Sequence, residues 1–495
     1  MKKRAITIAM SMMVVMSGCQ SNDTSSVSET EEDVEKSESE YFSDKDLQQD
    51  YDSAEAVYIT MNEDSAEAED DSVTINGSTI TVNKGGVYVF SGILNQGSIT
   101  VDAEEDEKVQ IVLDEVTVNN SSTACIYAKN ADKVFVTLLG KNNLIHTGSY
   151  ETSNENTIDG VIFAKCDLTL NGSGTLKIND DSGHGVVCKD ELVITGGSYD
   201  FNVARHGFQA KKSIAVTSAA FAVAAGKDGF HVENKDDETK GSLYIQSGTF
   251  NVSCEGDGFD VADTIIIDSG SFNVTTGGGS EQATMKQEES FGHMWNSVEE
   301  GEEDSTSKKG MKSGGSFVIN SGDFTMNCYD DALHSNSTLM IQDGTFTVKT
   351  GDDAIHADTD LTIYSGSYDI SYCYEGFEGL TVTFYDGTYS ITSNDDGVNA
   401  AGNGTPLITV EGGMFTIVSD GDSLDSNGDI VINGGTLNLT CNGNSNTAID
   451  VDGSYTCNGG TVITNDGSEN GSGRMGPGGK RDNRYQDKME YKEYA

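Results

Sequence analysis

Basic side chains are scarce in this chain of 495 residues: 30 Lys and Arg stand against 81 Asp and Glu, a formal net charge of −51. That imbalance excludes nucleic acid and anionic lipid as direct partners, since each would be repelled without bridging cations. Between the two ends of the chain there is one arginine, Arg205, which counts against a base-rich catalytic cleft. Proline is down to 2 residues and tryptophan to Trp295 alone. The eight cysteines beyond the N-terminal segment, Cys125, Cys166, Cys188, Cys254, Cys328, Cys373, Cys441 and Cys457, are scattered. Their spacing excludes a small disulfide-stapled scaffold and a Cys-x-x-Cys zinc site, so buried free thiols are expected.

What is present begins with Lys2, Lys3 and Arg4 before an apolar run from Ala5 to Met16. This has the charge and length of an export signal and is too short to span a bilayer. It ends in Met16-Ser17-Gly18-Cys19, which resembles the bacterial lipoprotein box, with Met where Leu is commoner. The resemblance implies a signal peptide over residues 1–18, lipidation of Cys19, and an extracytoplasmic protein held at the cell surface, touching the membrane only through its lipid. Residues 19–40 are Ser, Glu and Asp with little to bury, which reads as a disordered acidic tether.

From about Val73 onward the chain repeats. Asp331-Ala332-Leu333-His334, Asp353-Ala354-Ile355-His356, Glu375-Gly376-Phe377-Glu378 and Asp396-Gly397-Val398-Asn399 start at steps of 353−331 = 22, 375−353 = 22 and 396−375 = 21. A second ladder, Tyr199, Phe221, Phe250, Phe272, Phe324, Phe346, Tyr368, Tyr389, Phe415 and Leu437, keeps the same period, most members following a Gly-containing turn. Alternating strands that recur with no helix signal between them stack in parallel. The expected fold is all-β, a right-handed single-stranded parallel β-helix of ~22-residue coils over residues 41–466, with the aromatic ladder filling its interior. Val87-Tyr88-Val89-Phe90 is less regular and reads as the N-terminal cap. Residues 276–308 form the largest excursion, a flexible insertion, and 467–495 a disordered tail.

Aligning the coils on the four-residue phrase adds Asp159-Gly160-Val161, His206-Gly207-Phe208, Asp228 to His231, Asp257 to Asp260 and Asp422 to Asp425. The apolar third position should point inward, while the first and fourth flank an open groove beside a small second residue. Like charges about 4.8 Å apart repel by about 1 kcal/mol in water and about 3 to 4 kcal/mol at an effective dielectric of 20. A column of them must protonate, splay apart or bind cations. Clustered carboxylates suit a hard, oxygen-loving ion, so Ca²⁺ is the expected cofactor. The candidate ligands are Asp257, Asp260, Asp330, Asp331, Asp352, Asp353, Glu375, Glu378, Asp395, Asp396, Asp422 and Asp425. The alternative is that Asp and Gly fill tight corners, where Asx turns suit them. His231, His334 and His356 share the fourth position and read as surface ladder residues.

One coil reverses the charge, Lys309-Gly310-Met311-Lys312. Its lysines either neutralise neighbouring acids or supply the base of a lyase acting on a calcium-bound uronate. Neutralisation is favoured, because a base needs a depressed pKa and nearby acids raise it.

Tyr41-Phe42-Ser43-Asp44, Gly85-Gly86-Val87-Tyr88-Val89-Phe90-Ser91-Gly92, Val109-Gln110-Ile111-Val112-Leu113-Asp114, the Gly-rich approach to Lys309, and the Asp-Asp-Ala/Gly coils occur in that order. Together they resemble the bacterial surface carbohydrate-binding domain family with a polysaccharide-lyase-like β-helix. The resemblance implies calcium between coils and binding of cell-wall polysaccharide, pectic or cellulosic. The long acidic excursion and the C-terminal tail depart from it. The function expected is therefore a lipid-anchored, monomeric, calcium-dependent polysaccharide-binding protein without catalysis, with Tyr329, Tyr372 and Tyr374 available to stack on sugar rings. A pectate-type lyase and a structural adhesin or spacer are the alternatives.

Overall fold

The computed structural model describes residues 41–150, 152–153, 156–234, 241–283 and 307–470. The signal and Cys19, the tether, most of the 276–308 excursion with Trp295, and the tail beyond Asn470 lie outside the described residues.

Strand formation follows the alternation in the sequence. In Thr345–Thr350, Phe346, Val348 and Thr350 are buried while Thr345, Thr347 and Lys349 face solvent, the two-residue period of a half-buried strand. Each coil contributes such a strand to three sheets. One coil runs Phe317–Ile319, Asp323–Cys328 and Leu333–Ser335; the next repeats it with Leu339–Ile341, Thr345–Thr350 and the start of Ile355–Ile363. We call these the lateral, aromatic and acidic sheets. Equivalent strands pair in parallel, Asp323 opposite Thr345 and Leu333 opposite Ile355, and the result is the predicted parallel β-solenoid. Regular coils advance by 345−323 = 22 residues, and loops bring the average to about 24. Among the described residues no helix is long and apolar enough to cross a membrane.

The interior is continuous from coil to coil. Phe250, Phe272, Phe324, Phe346 and Tyr368 stack with successive centroids 4.7 to 4.8 Å apart and ring planes within 5° of parallel. Phe272 and Phe324 are direct neighbours although the excursion separates them in the chain, so the chain leaves the stack and re-enters one coil later. The two ends of the excursion are tied: Thr276 Oγ1 donates to the Lys308 carbonyl, and Ser280 N to Asn327 Oδ1 (2.9 Å). At the turn before each of these five rings stands a glycine. Gly344 has φ +151°, and a Cβ there would lie 2.8 Å from the Phe346 ring.

The open end of the stack is blunted by short antiparallel pairs, Ala56–Glu63 with Ser65–Glu67 and Val73–Asn76 with Thr79–Val82. Val87 to Phe90, expected in the cap, instead sits in Gly86–Asn95, already paired in parallel on both sides. At the other end order extends past Asp466: Ser468–Asn470 form a single 3₁₀ turn, and Ser468 Oγ accepts the Ile449 amide (3.1 Å). Six of the eight cysteines are buried free thiols, but Cys166 is half-buried and Cys457 exposed.

The segment from Tyr41 to Asp50 straps the lateral sheet from outside. Phe42 packs on Val193, Ala215 and Tyr244, and Tyr41 stacks on Tyr244 at 3.8 Å. Asp46, 2% exposed, meets Lys133 Nζ (2.7 Å) and accepts from Thr169 Oγ1 (2.5 Å), while its carbonyl accepts from Thr195 Oγ1. The Gln48 carbonyl takes Asn171 Nδ2 (2.9 Å) and the Asp50 carbonyl takes Gln110 Nε2 (3.1 Å).

Candidate functional site

The acidic sheet places the repeated phrase in register. The third residue of each phrase, Leu333, Ile355, Phe377, Val398 and Leu424 among them, is buried as expected. The first position departs from expectation: it turns under the corner rather than into an open groove. Asp331, Asp353, Glu375, Asp396 and Asp422 are 2 to 9% exposed. Each corner acid, except Glu375, holds the next coil. Asp228 Oδ1 accepts the Asp257 amide (2.9 Å), Asp257 Oδ1 the Lys309 amide (2.6 Å), Asp331 Oδ1 the Asp353 amide (3.1 Å) and Asp396 Oδ1 the Asp422 amide (2.6 Å). Earlier in the stack two histidines do the same work, His184 Nδ1 taking the His206 amide (3.2 Å) and His206 Nδ1 the Asp228 amide (3.3 Å). Lysine cannot accept, and after Lys309 the neighbouring Asp330 Oδ1 receives the Asp331 amide instead (3.1 Å). The bonds of Asp228, Asp257, Asp331 and Asp396 reach the backbone of the next coil rather than the acid's own turn, so the corner acids tie coil to coil. The small second residue is small for the interior: a Cβ on Gly310 would lie 2.4 Å from the Ala332 carbonyl and 2.3 Å from Met326 Cε.

Register also corrects one alignment. Gly160 pairs with His184 and Ile162 with Val186, so that coil's phrase begins at Gly160, one residue after Asp159. His184, which the sequence alignment left out although it included His206, is the first member of the column.

The fourth position faces outward, and there basic and acidic side chains are mixed, His231, Asp260, Lys312, His334, His356 and Glu378 in successive coils. His231 Nδ1 lies 3.0 Å from Asp228 and 3.1 Å from Asp260. Burial opposes its protonation, but the two carboxylates prevail and raise its pKa to about 10. His334 Nδ1 is 2.7 Å from Asp331, and His356 Nδ1 is 3.2 Å from Asp353 and 2.5 Å from Glu378. His356 is raised to about 11 by the same balance. Lys309 Nζ bridges Asp330 (3.1 Å) and Asp331 (2.6 Å), and Lys312 Nζ lies 3.6 Å from Asp260. His206 and His231 are stacked 4.4 Å apart at 18°, and His334 and His356 4.7 Å apart at 25°. With their carboxylates they form three mixed groups whose ligand atoms lie within 4.8 Å of one another: His206, Asp228 and His231; Asp331, His334 and His356; and Asp353, His356 and Glu378. From Asp228 to Glu378 the column is a ladder of ion pairs.

Beyond His356 the compensation ends. The chain has no Lys, Arg or His until Arg474, yet the acids continue. Asp395, Asp396, Asp422, Asp425, Asn427, Asn446, Asp450 and Asp452 line a cavity of about 200 Å³. Burial, and then Asp395 and Asp425, push Asp396 up to about 8; burial, Asp353 and Glu378 push Glu375 well above the carboxylate range. Asn399 sends Nδ2 to both Glu375 oxygens (3.1 Å each), which leaves its own Oδ1 buried with no hydrogen-bond partner. Among the described residues two clusters offer oxygen ligands alone within 4.8 Å, Asp330 with Asp331 and Asp352, and Asp422 with Asp425 and Asp450. Lys309 already supplies positive charge to the first. The second fits a calcium ion by its chemistry: hard oxygens, high negative charge and no competing ammonium. Asp450 was legible in principle, since Ala448-Ile449-Asp450 continues the phrase with Thr447 where the acid had been.

Tyr329, Tyr372 and Tyr374 are all half-buried at the corner between the aromatic and acidic sheets. Lys308 Nζ covers the Tyr329 ring at 4.4 Å.

The family model described as carbohydrate-binding domain-containing protein matches residues 76–354 and 352–473. The chain belongs to this carbohydrate-binding domain family. A carbohydrate-binding domain-containing protein of Acetivibrio thermocellus is 32% identical over 145 residues, 28% of this chain and 51% of the relative. The chain thus matches about half the length of that curated relative. Among solved structures, a gadolinium derivative of the polysaccharide lyase-like protein from C. thermocellum is 28% identical, with a TM-score of 0.43 over 45% of this chain and 92% of that one.

Proposed function

We propose that this protein is a lipid-anchored, extracytoplasmic, monomeric polysaccharide-binding protein that grips acidic glycan through calcium held in the C-terminal acidic cleft. The observation that carries the reading is the cleft itself, a concentration of aspartates in a stretch without a basic side chain. Bound there, calcium supplies positive charge that a uronate carboxylate can share. Asp396, Asp422, Asp425 and Asp450 would hold it, with Asn399 and Asn427 adding neutral oxygens.

The reading is non-catalytic. A lyase base must be a neutral amine near neutral pH. Burial works against the charge on Lys309, but Asp331 and Asp330 outweigh it and hold the ammonium above its ordinary range. Lys312 is directed at Asp260.

Titration calorimetry with polygalacturonate tests the reading. Binding is expected in calcium, at least about tenfold weaker in Asp396→Asn/Asp425→Asn, with no ultraviolet-absorbing unsaturated product. Undiminished affinity in the double variant would overturn the cleft assignment. For the anchor, Cys19→Ala should release the protein from the membrane fraction; continued retention would refute it.

A further inference from the structure

Three coils extend the acidic phrase in the same way. Asp228, His231 and Glu233 recur as Asp331, His334 and Asn336, and again as Asp353, His356 and Asp358. The acid stands three residues before the histidine and a side-chain oxygen two residues after it. Residues two apart along a strand share a face, so the last member meets the ring it follows. His231 Nε2 lies 3.4 Å from Glu233 Oε2, His334 Nε2 2.8 Å from Asn336 Oδ1, and His356 Nε2 3.1 Å from Asp358 Oδ1. Amide and carboxylate oxygens accept, so Nε2 carries a proton and Nδ1 is the nitrogen turned to the corner acids. An imidazole whose outer nitrogen donates to such an oxygen is oriented and made more basic at the other nitrogen, which is how metal-ligating histidines are held. The corner histidine His184 is set the other way, its Nδ1 taking a backbone amide and its Nε2 lying 3.6 Å from Asp159.

The three copies differ in their surroundings. Lys309 Nζ is 2.6 Å from Asp331, and Lys312 Nζ is 3.6 Å from Asp260, which itself contacts His231. Each ammonium opposes a second cation at the copy it touches. Among the described residues no lysine or arginine pairs with Asp353 or Glu378. Asp353 holds the Glu375 amide with Oδ1 (3.3 Å) and turns Oδ2 to His356 Nδ1 (3.2 Å). Glu378, opposite His356 in the next coil, brings Oε2 to the same nitrogen (2.5 Å).

We infer that Asp353 Oδ2, His356 Nδ1 and Glu378 Oε2 form a site for a divalent first-row transition metal of the zinc type, separate from the C-terminal cleft. The imidazole selects the ion: calcium and magnesium take oxygen ligands, whereas zinc, nickel and copper take imidazole nitrogen. Tetrahedral ligands at about 2.0 to 2.1 Å from zinc stand about 3.3 Å from one another. Asp353 and His356 are already at that spacing, and Glu378, on its two methylenes, has to withdraw by under about 1 Å. The proton that Nδ1 shares with the two carboxylates leaves to solvent as the ion enters. Three protein ligands leave a fourth position for water, and the partial exposure of His356 and Glu378 gives the ion a way in. With ligands from two coils, the ion fastens one rung to the next. The inference rests neither on the glycan reading nor on calcium in the cleft.

The test is zinc titration calorimetry on the full, untagged chain, stripped with chelator and then held in excess calcium. Wild type is expected to bind zinc, His356→Gln at least about a hundredfold more weakly and Asp358→Ala about tenfold more weakly. Asp358→Asn keeps the acceptor and should stay within about threefold of wild type. Asp358 is exposed, so its two variants carry the test should His356→Gln fail to fold. Zinc bound by His356→Gln with wild-type affinity and stoichiometry would place the ion on another group and overturn the assignment. Absence of zinc binding by wild type, equal affinity in Asp358→Ala, or displacement of zinc by calcium would overturn it as well.

Discussion

Lys309 separates a structural from a catalytic role for the charge-reversed coil. Its ammonium is 15% exposed and touches two carboxylates, of which Asp331 is 3% exposed at the side chain. Replacing it with Met keeps the stem and removes the charge, which leaves Asp331 with His334 Nδ1 (2.7 Å) as its remaining side-chain neighbour. Breaking one side of a buried pair costs about 3 to 5 kcal/mol. At about 2.1 cal/mol/K of unfolding entropy per residue over roughly 400 ordered residues, that is a fall in Tm of about 4 to 6 °C. Asp331→Asn removes the stranded charge yet keeps an Oδ1 acceptor for the Asp353 amide, so Lys309→Met/Asp331→Asn should recover at least about half the loss. Differential scanning calorimetry of the four proteins closes the cycle. A Lys309→Met protein that melts within about 1 °C of wild type, or an added Asp331→Asn that restores nothing, would refute the ion-pair account.

Phe346→Ala empties one slot of the ring stack, where Phe346 is 1% exposed, and should cost about 3 to 5 kcal/mol; an unchanged melting profile would mean the stack carries no stability. Gly344→Ala, at φ +151° with 2.8 Å to the Phe346 ring, should cost about 1 to 3 kcal/mol, read by the same melts. His231 is held protonated by Asp228 and Asp260 against the pull of burial, its pKa raised from 6.5 to about 10. Its stabilisation is therefore whole below pH about 6.5 and is lost as pH rises through about 10. Melts between pH 6 and 10 should fall more steeply for wild type than for His231→Gln, and parallel curves would contradict this. Asp46→Ala should loosen the strap, raising amide exchange over residues 41–50 while Phe324 to Tyr368 stay protected; uniform protection would show that Asp46 is not its anchor.

The rod was legible because its construction is periodic: Phe324, Phe346 and Tyr368 recur at one spacing behind one kind of turn, and a stack of like rings is the simplest way to bury them. The corner acids were misread for a physical reason. Alternation tells inside from outside only within a strand, and Asp331 or Asp353 precedes its strand, where the chain bends and the side chain folds back onto the next coil's amide. His184 and His206 can fill the acid's place because the position needs an acceptor rather than an acid, and imidazole serves. The division of the column into a compensated half and an uncompensated half depends on side chains brought together across coils, as with His356 between Asp353 and Glu378.

The strap from Tyr41 to Asp50 bears on how the molecule carries load. A pull on the chain ahead of Tyr41 meets Tyr244 and Phe42's neighbours first, then Asp46 with Lys133, Thr169 and Thr195, then Gln110. Those contacts lie across successive coils and must give way before tension reaches Ala56 and the first strand. Force therefore enters along the flank of the rod, in shear over many rungs, and the terminal coil is shielded from being peeled away one hydrogen bond at a time.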